Sequence, residues 1–354
     1  MLRAPPTRDI IVIGGSAGAI EALHELLPNL PADLPAALLV VLHVGADSIL
    51  PAVLERTSRL PVTAARSGTA LEHGRIYVGV PGVHLLLHDE HILLRRGPRE
   101  NFARPAIDAL FRSAAASLGG RVIGVLLSGS LSDGSAGLRA IKRCGGVTVV
   151  QDPEDAVVPA MPRNALRHAD VDYVRPVSAM PALLAELARQ PAGPSPEVPL
   201  EIRLESAIAA QELADMKVDQ MLGQVSPFTC PECHGALWEI RDGPMLRFRC
   251  HVGHAFAADA VLAAQGEEVE RLLGSLQRTH QERAALARRM AEQERSGKHH
   301  NLADRLEARA QEYEDDARLV MELMRNGFGG SADTGNNSGN DTGKDGGGNG
   351  KDKA

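Results

Sequence analysis

Ile10-Ile11-Val12-Ile13-Gly14-Gly15-Ser16-Ala17-Gly18 is an apolar run that breaks into glycines around a single serine. Four successive β-branched residues with no polar alternation read as a strand buried on both faces, and such strands belong to parallel sheets covered by helices. Two further stretches repeat the pattern: Leu38-Leu39-Val40-Val41-Leu42 runs into His43-Val44, and Val122-Ile123-Gly124-Val125-Leu126-Leu127 runs towards Gly129-Ser130-Leu131-Ser132-Asp133-Gly134. Parallel strands end on one edge, and open α/β sheets bind ligands beyond that carboxyl edge. Ser16, His43 and Asp133 are therefore expected to converge although far apart in sequence. A serine, a histidine and an aspartate are the inventory of a nucleophilic hydrolase.

Around these segments, strands and helices alternate to about residue 188, which makes the fold class α/β, a doubly wound and mostly parallel sheet. Helices are expected over Ile20–Leu27, Ala106–Leu118 and Gly137–Arg143, with a further strand at Val147–Val150. Arg75–Val80 and Val83–Leu87 flank Pro81-Gly82 and read as a hairpin at the sheet edge.

The chain has 354 residues, 44% apolar and 23% charged, with a formal net charge of -7. That suits a globular protein of two or three domains, and the lack of a basic excess argues against nucleic acid as a partner. No apolar stretch approaches the ~20 residues of a membrane span, and Met1–Arg8 lacks the apolar core of a signal peptide. A cytoplasmic location without membrane insertion is the expectation. Four cysteines are too few for a disulfide framework, and Cys144 reads as a buried apolar residue.

Residues 1–190 form the expected first domain, followed by a linker at 191–200, where prolines remove backbone donors and fix φ. A helix is expected at 201–225 and a cysteine module at 226–258. In that module Cys230-Pro231-Glu232-Cys233, sixteen intervening residues and Cys250-His251-Val252-Gly253-His254 have the spacing of a zinc ribbon. Two knuckles would supply Cys230, Cys233, Cys250 and His254, the last preferred over His251 because its three-residue gap lets it turn back to the metal. Four protein ligands close the shell, so the Zn2+ would be structural, with Trp238 and Phe248 covering it. Residues 259–326 are charge-rich, with apolar residues at helical intervals (Leu272 and Leu276, Leu286 and Met290, Leu302 and Leu306, Leu319 and Leu323), and Ser296-Gly297-Lys298 breaks them into two helices. These either pack as an antiparallel hairpin or self-associate. The Gly- and Asn-rich stretch 327–354 has nothing to bury and reads as a disordered tail.

Read singly, each candidate has a second meaning. The turn at Ser16 could cradle a phosphate or simply close a structural turn. It lacks the G-x-G-x-x-G fingerprint, and His43 stands where a ribose-binding carboxylate would follow the second strand, which counts against a nucleotide enzyme. A serine on a tight strand-to-helix turn is held exposed near the positive end of a helix dipole, as a nucleophile should be. A lone histidine is more often a hydrogen-bonded surface or core residue, and Asp133 could cap the helix after it.

Six ordered stretches resemble the catalytic domain of CheB-type chemotaxis protein-glutamate methylesterases: Ile13 to Leu23, Leu42-His43, Val80 to Leu85, Arg104 to Phe111, Ser128 to Gly137, and Gln151 to Pro162. The resemblance covers most of the first 190 positions. It implies a serine hydrolase that demethylates glutamate γ-methyl esters in the cytoplasmic helices of methyl-accepting chemoreceptors, releasing methanol, with deamidation of receptor glutamines as a second activity. It implies Ser16 as nucleophile, His43 as general base and then acid, Asp133 as the residue orienting the imidazole, and the backbone N–H groups of Ala17 and Ser130 as the oxyanion hole. Catalysis would need no cofactor, and a receptor methyltransferase is a further candidate partner.

Three departures bear on this. The aspartate motif of the family reads G-M-G-x-D-G, whereas Ser130 and Leu131 replace its methionine and second glycine. If that glycine position needs a positive φ, Leu131 is strained. Ala17 and Val44-Gly45-Ala46 also differ from the usual hydroxyl residue and Met-Pro. Finally, the catalytic motif begins within 16 residues of the start, so no N-terminal receiver domain is expected and regulation would lie elsewhere. The altered loop keeps one alternative open, a catalytically weak binding or scaffold protein in a receptor signalling complex.

Overall fold

The computed structural model describes residues 6–45, 48–212 and 223–327, which fall into two compact units, 1–265 and 266–354. In the first unit the strands are β1 (Ile10–Gly15), β2 (Ala37–Leu42), β3 (Val62–Ala64), β4 (Arg75–Val78), β5 (His84–His88), β6 (His91–Arg95), β7 (Val122–Leu126), β8 (Val147–Gln151) and β9 (Tyr173–Arg175). Seven of them form one sheet in the order β3-β4-β2-β1-β7-β8-β9, with every pairing parallel. The helices are α1 (Ala19–Leu26), α2 (Leu50–Glu55), α3 (Ile107–Leu118), α4 (Ser135–Arg143), α5 (Ala160–His168), α6 (Met180–Arg189) and α7 (Leu200–Ala209).

Alternation along each strand divides the core into two layers. Ile11, Ile13, Leu38 and Val40 pack with α1, α2 and α6, whereas Ile10, Val12, Leu39 and Val41 pack with α3, α4 and α5. This is the doubly wound arrangement expected from the sequence. β1 lies between β2 and β7, so the winding reverses at its end. That switch point is where such sheets bind ligands, and it is where Ser16 follows β1.

Several expectations need correction. The hairpin across Pro81-Gly82 does not form: β4 pairs in parallel with β2 and β3, and β5 pairs antiparallel with β6. Ile76, Tyr77 and Val78 are buried on both faces, so β4 belongs inside a covered sheet. The helix expected over 201–225 is Leu200–Ala209, ending before Gln211 at φ 60°, and Gln224 already starts a strand. Residues 213–222 lie outside the described residues, as does nearly all of the 327–354 tail. The proline-rich linker is neither helix nor strand, yet it is tied to the first unit: Ala192 N–H donates to Pro6 O (2.7 Å) and Gly120 N–H to Ser195 Oγ (2.9 Å).

β10 (Gln224–Thr229), β11 (Ala236–Asp242), β12 (Met245–Cys250) and β13 (Ala255–Ala257) make a second, antiparallel sheet that belongs to the same compact unit. The second unit holds the rest of α8 (Ala258–Ser296) and α9 (His300–Gly327), and the break falls at Ser296-Gly297-Lys298 as expected. The two run antiparallel, with Arg283 donating to Tyr313 Oη (2.7 Å) and Arg295 to Asp304 (3.3 Å). Their seam is alanine: Ala284, Ala287, Ala291, Ala303, Ala310 and Ala317 are buried, while Leu272, Leu286, Leu302, Leu319 and Leu323 are exposed. Small residues let two helices approach closely, so the leucines that mark the sequence periodicity are not the ones the pair buries. Among the described residues no helix is long and apolar enough to cross a membrane.

Candidate active site and metal centre

Glycines allow the turn after β1. A Cβ on Gly14 would lie 2.2 Å from Ile107 Cγ2, and one on Gly15 would lie 2.5 Å from Ala19 Cβ, so the strand end can approach α3 and α1 only without side chains. Gly18, at φ 78°, starts α1 in the left-handed conformation. Ser16 N–H donates to Ser128 O (2.9 Å), and a Cβ on Gly129 would sit 3.0 Å from Ser16 Cβ, which fixes the loop after β7 against the serine. Among the described residues, the N–H groups of Ala17 and Ser130 have no acceptor within the chain. Both residues are exposed.

His43 reaches the same place through β2. Gly15 is in register with Leu42, and His43 N–H donates to Gly15 O (3.3 Å), so Ser16 and His43 leave neighbouring strand ends side by side. His43 Nε2 lies 2.7 Å from Asp133 Oδ2, with the imidazole 23% exposed and the carboxylate 2%. Nδ1 is thus the ring nitrogen left for a partner other than Asp133.

Asp133 sits at the N-terminus of α3. Its Oδ2 accepts from Ile107 N–H (2.8 Å) and its Oδ1 from Asp108 N–H (3.1 Å), Gly134 N–H (3.1 Å) and Asn101 Nδ2 (3.1 Å). Burial disfavours the charge, but the His43 hydrogen bond and the α3 amides outweigh it and hold the carboxyl below its ordinary value. Asp108 shows the opposite balance: burial and the Asp133 charge push its carboxyl up. Leu131 is at φ 60°, the left-handed region the glycine of the family motif would favour. Its side chain packs on a cluster containing Leu237, Phe248 and Phe256 of the second sheet, which offsets part of the backbone cost.

The four expected metal ligands also meet. Cys230 Sγ, Cys233 Sγ, Cys250 Sγ and a His254 ring nitrogen all lie within 4.8 Å of one another. Cys233 Sγ to Cys250 Sγ is 3.6 Å, and His254 Nδ1 is 3.7 Å from Cys230 Sγ and 3.6 Å from Cys250 Sγ. A tetrahedral ion with thiolates at about 2.3 Å gives edges of about 3.7 Å, so the donor set fits a divalent ion such as zinc. Each cysteine knuckle is a tight turn: His234 N–H donates to Cys230 O (2.8 Å) and Gly253 N–H to Cys250 O (2.8 Å). Glu232 Oε2 lies 3.0 Å from His254 Nε2, a carboxylate in the place that orients a metal-bound imidazole. His251 is exposed and outside the cluster. Phe248 packs against the cysteines as expected, but its companion is Leu237, not Trp238. Alternation along β11 puts Trp238 on the other face.

The profile of the CheB methylesterase family matches residues 11–184. A Leptospira interrogans (strain Fiocruz L1-130) protein, provisionally named a protein-glutamate methylesterase/protein-glutamine glutaminase, is 38% identical over 182 residues, 51% of this chain and 94% of its own length. The chain belongs to the CheB methylesterase family. Protein-glutamate methylesterase/protein-glutamine glutaminase 2 of Anaeromyxobacter dehalogenans is 41% identical over 183 residues, which is 54% of that protein. The crystal structure of the Thermotoga maritima CheB methylesterase catalytic domain aligns with 51% of this chain and 98% of its own, at 32% identity and a TM-score of 0.49.

Beside His43 lies an open cleft of about 520 Å³, also lined by Val44, Pro81, Asn101 and the basic pair Arg99 and Arg104. Sequence reasoning missed what stands behind it. Glu100, Arg112, Glu205, Arg247 and Arg249 are buried together. Arg112 clasps Glu100 (2.6 and 2.7 Å) and reaches Glu205 (3.2 Å), Arg247 clasps Glu205 (2.8 and 3.0 Å), and Arg249 reaches Glu100 (3.3 Å). The cluster joins α3 of the CheB domain to α7 and to β12 of the cysteine module. In sequence these charges look like solvated surface, and the one visible signal is Arg247-Phe248-Arg249, a strand whose alternate positions are both basic.

Proposed function

We propose that the chain hydrolyses glutamate γ-methyl esters on the cytoplasmic helices of methyl-accepting chemoreceptors, releasing methanol, and deamidates receptor glutamines by the same route. The supporting observation is the 2.7 Å contact between His43 and Asp133 beside the turn that carries Ser16. Ser16 Oγ attacks the ester carbonyl carbon while His43 Nδ1 takes the hydroxyl proton, and Asp133 holds the ring and stabilises the imidazolium. The carbonyl oxygen becomes an oxyanion facing the N–H groups of Ala17 and Ser130. The C–O bond to the methoxy group then breaks, His43 delivers its proton to the leaving oxygen, and methanol departs from the acyl-Ser16 enzyme. Water attacks the acyl carbon with His43 again as base, restoring Ser16 and leaving a glutamate. With glutamine the leaving group is ammonia.

No cofactor enters this cycle. Cys230, Cys233, Cys250 and His254 would hold a structural Zn2+, which would fasten the two knuckles. What counts against the scaffold reading is that Leu131 adopts the left-handed conformation and Asp133 lies against His43. Residues 1–190 act as the catalytic domain and 226–258 as a metal module in the cytoplasm, with receptor helices as substrate. Methanol release from methylated receptor fragments, lost in Ser16→Ala, is the test.

A further inference from the structure

Asn101 precedes α3 at φ 49°, and its amide has two sets of partners. Nδ2 lies 3.1 Å from Asp133 Oδ1 and 3.3 Å from Asp108 Oδ2, while Oδ1 accepts from Ala257 N–H at 2.8 Å. A backbone N–H can only donate, so the Ala257 contact fixes the amide orientation and aims Nδ2 at the carboxylates. The main chain of Asn101 is held by the same strand of the cysteine module, since Asn101 N–H donates to Ala255 O (2.8 Å). Ala255 N–H donates in turn to Arg99 O (3.2 Å). Next in sequence, Phe102 at φ 62° lays its ring 4.8 Å from that of Phe256. Two successive non-glycine residues in the left-handed region persist only where the surroundings over-determine them. Here the surroundings are β13.

We propose that Asn101 is a positioning residue for Asp133, and that β13 of the cysteine module supplies its fixed end, so the metal module completes the active-site scaffold. The module closes a chain from Ala257 through the Asn101 amide to Asp133 and on to His43. A second tie runs parallel to it, with Ser132 Oγ donating to Asp259 Oδ2 (2.5 Å) one residue from Asp133. The assignment rests on the reading of Ser16, His43 and Asp133 as a triad. Other charged groups near Asp133 are Asp108 from α3 and, acting on Asp108 through their charge, Arg112 from α3, Arg247 from β12 and Glu100.

Asn101→Gly removes the side chain while keeping a residue suited to φ 49°. Asn101→Asp keeps an acceptor for Ala257 N–H and the left-handed backbone but turns the donor facing Asp133 into an acceptor. Both variants are compared with the full wild-type chain for methanol release, and the His43 imidazole is titrated by NMR. Removing a donor from the Asp133 carboxylate concentrates its charge on the imidazolium. The His43 pKa should rise by at least about half a pH unit. The kcat should fall at least about 10-fold with KM within about twofold, since a misplaced catalytic group costs up to about 10²-fold. A His43 titration identical to wild type in a folded Asn101→Gly protein overturns the proposal, whatever the kcat. Should that variant lose its fold, Asn101→Ala, which likewise removes the donor and adds no charge, is read by the same criterion. The titration needs no turnover, so it stands apart from the functional reading, which fails if Ser16→Ala retains hydrolysis.

Discussion

Replacing Glu205 by glutamine takes one negative charge out of the cluster that joins α3, α7 and β12 while keeping the shape of the side chain. Glu205 faces Arg247 at 2.8 Å, Arg112 at 3.2 Å and Arg249 at 3.7 Å, and is 2% exposed. Burial opposes its charge, yet Arg247, Arg112 and Arg249 bring its carboxyl down from 4.5 to about 2. At about 1.4 kcal/mol per pH unit, that depression corresponds to about 3 kcal/mol favouring the charged form. Breaking a buried ion pair by removing one partner costs about 3–5 kcal/mol, which agrees. Urea unfolding followed by Trp238, the single tryptophan and a residue of β11, should show Glu205→Gln about 3 kcal/mol less stable at neutral pH. The sign with pH is fixed as well. A carboxyl depressed in the folded state stabilises fully above its ordinary value near 4.5 and loses that contribution as pH falls towards about 2. The wild type should therefore lose more stability than the variant across that window. A difference below about 1 kcal/mol, the scale of a surface pair, would refute the reasoning.

Asp133→Asn should lower kcat by about 10³- to 10⁴-fold with little change in KM, because the amide cannot both keep the α3 amides satisfied and hold the His43 tautomer; steady-state methanol release checks this. If the proposed zinc site is filled, treatment with a chelator, or Cys250→Ser, should abolish one equivalent of zinc and lower turnover together, since β12 ends at Cys250 and carries Arg249, while β13 begins beside His254 and holds Asn101. Elemental analysis beside activity reads both. Gly14→Ala places a methyl 2.2 Å from Ile107 Cγ2 at the N-terminus that binds Asp133. Thermal unfolding should show a loss of about 1–3 kcal/mol, accompanied by reduced turnover.

Much of the site was legible in sequence because each part follows a strong local signal. The apolar runs before Ser16, His43 and Asp133 read as covered parallel strands, and strand ends of one sheet lie together. The meeting of Cys230, Cys233, Cys250 and His254 was legible from knuckle spacing alone. β3 and β9, with three residues each, carry too little pattern to be seen, and the pairing of β5 with β6 is decided by the burial of β4 in the sheet. Asn101, Glu100 and Arg112 escaped for a different reason. Their meaning depends on Ala257, Arg249 and Glu205, over a hundred positions away for the first two, and no local pattern distinguishes a buried charge from a solvated one. Leu131 shows the reverse case: the motif position implied a strained φ, and the structure has it at 60°.

The most direct test of the account is methanol release from methylated receptor cytoplasmic fragments by the full chain and by Ser16→Ala at equal concentration. The account predicts release by the wild type and none above background by Ser16→Ala, with unchanged fold and zinc content. Equal release by both proteins, or none by either across several receptors, would contradict it.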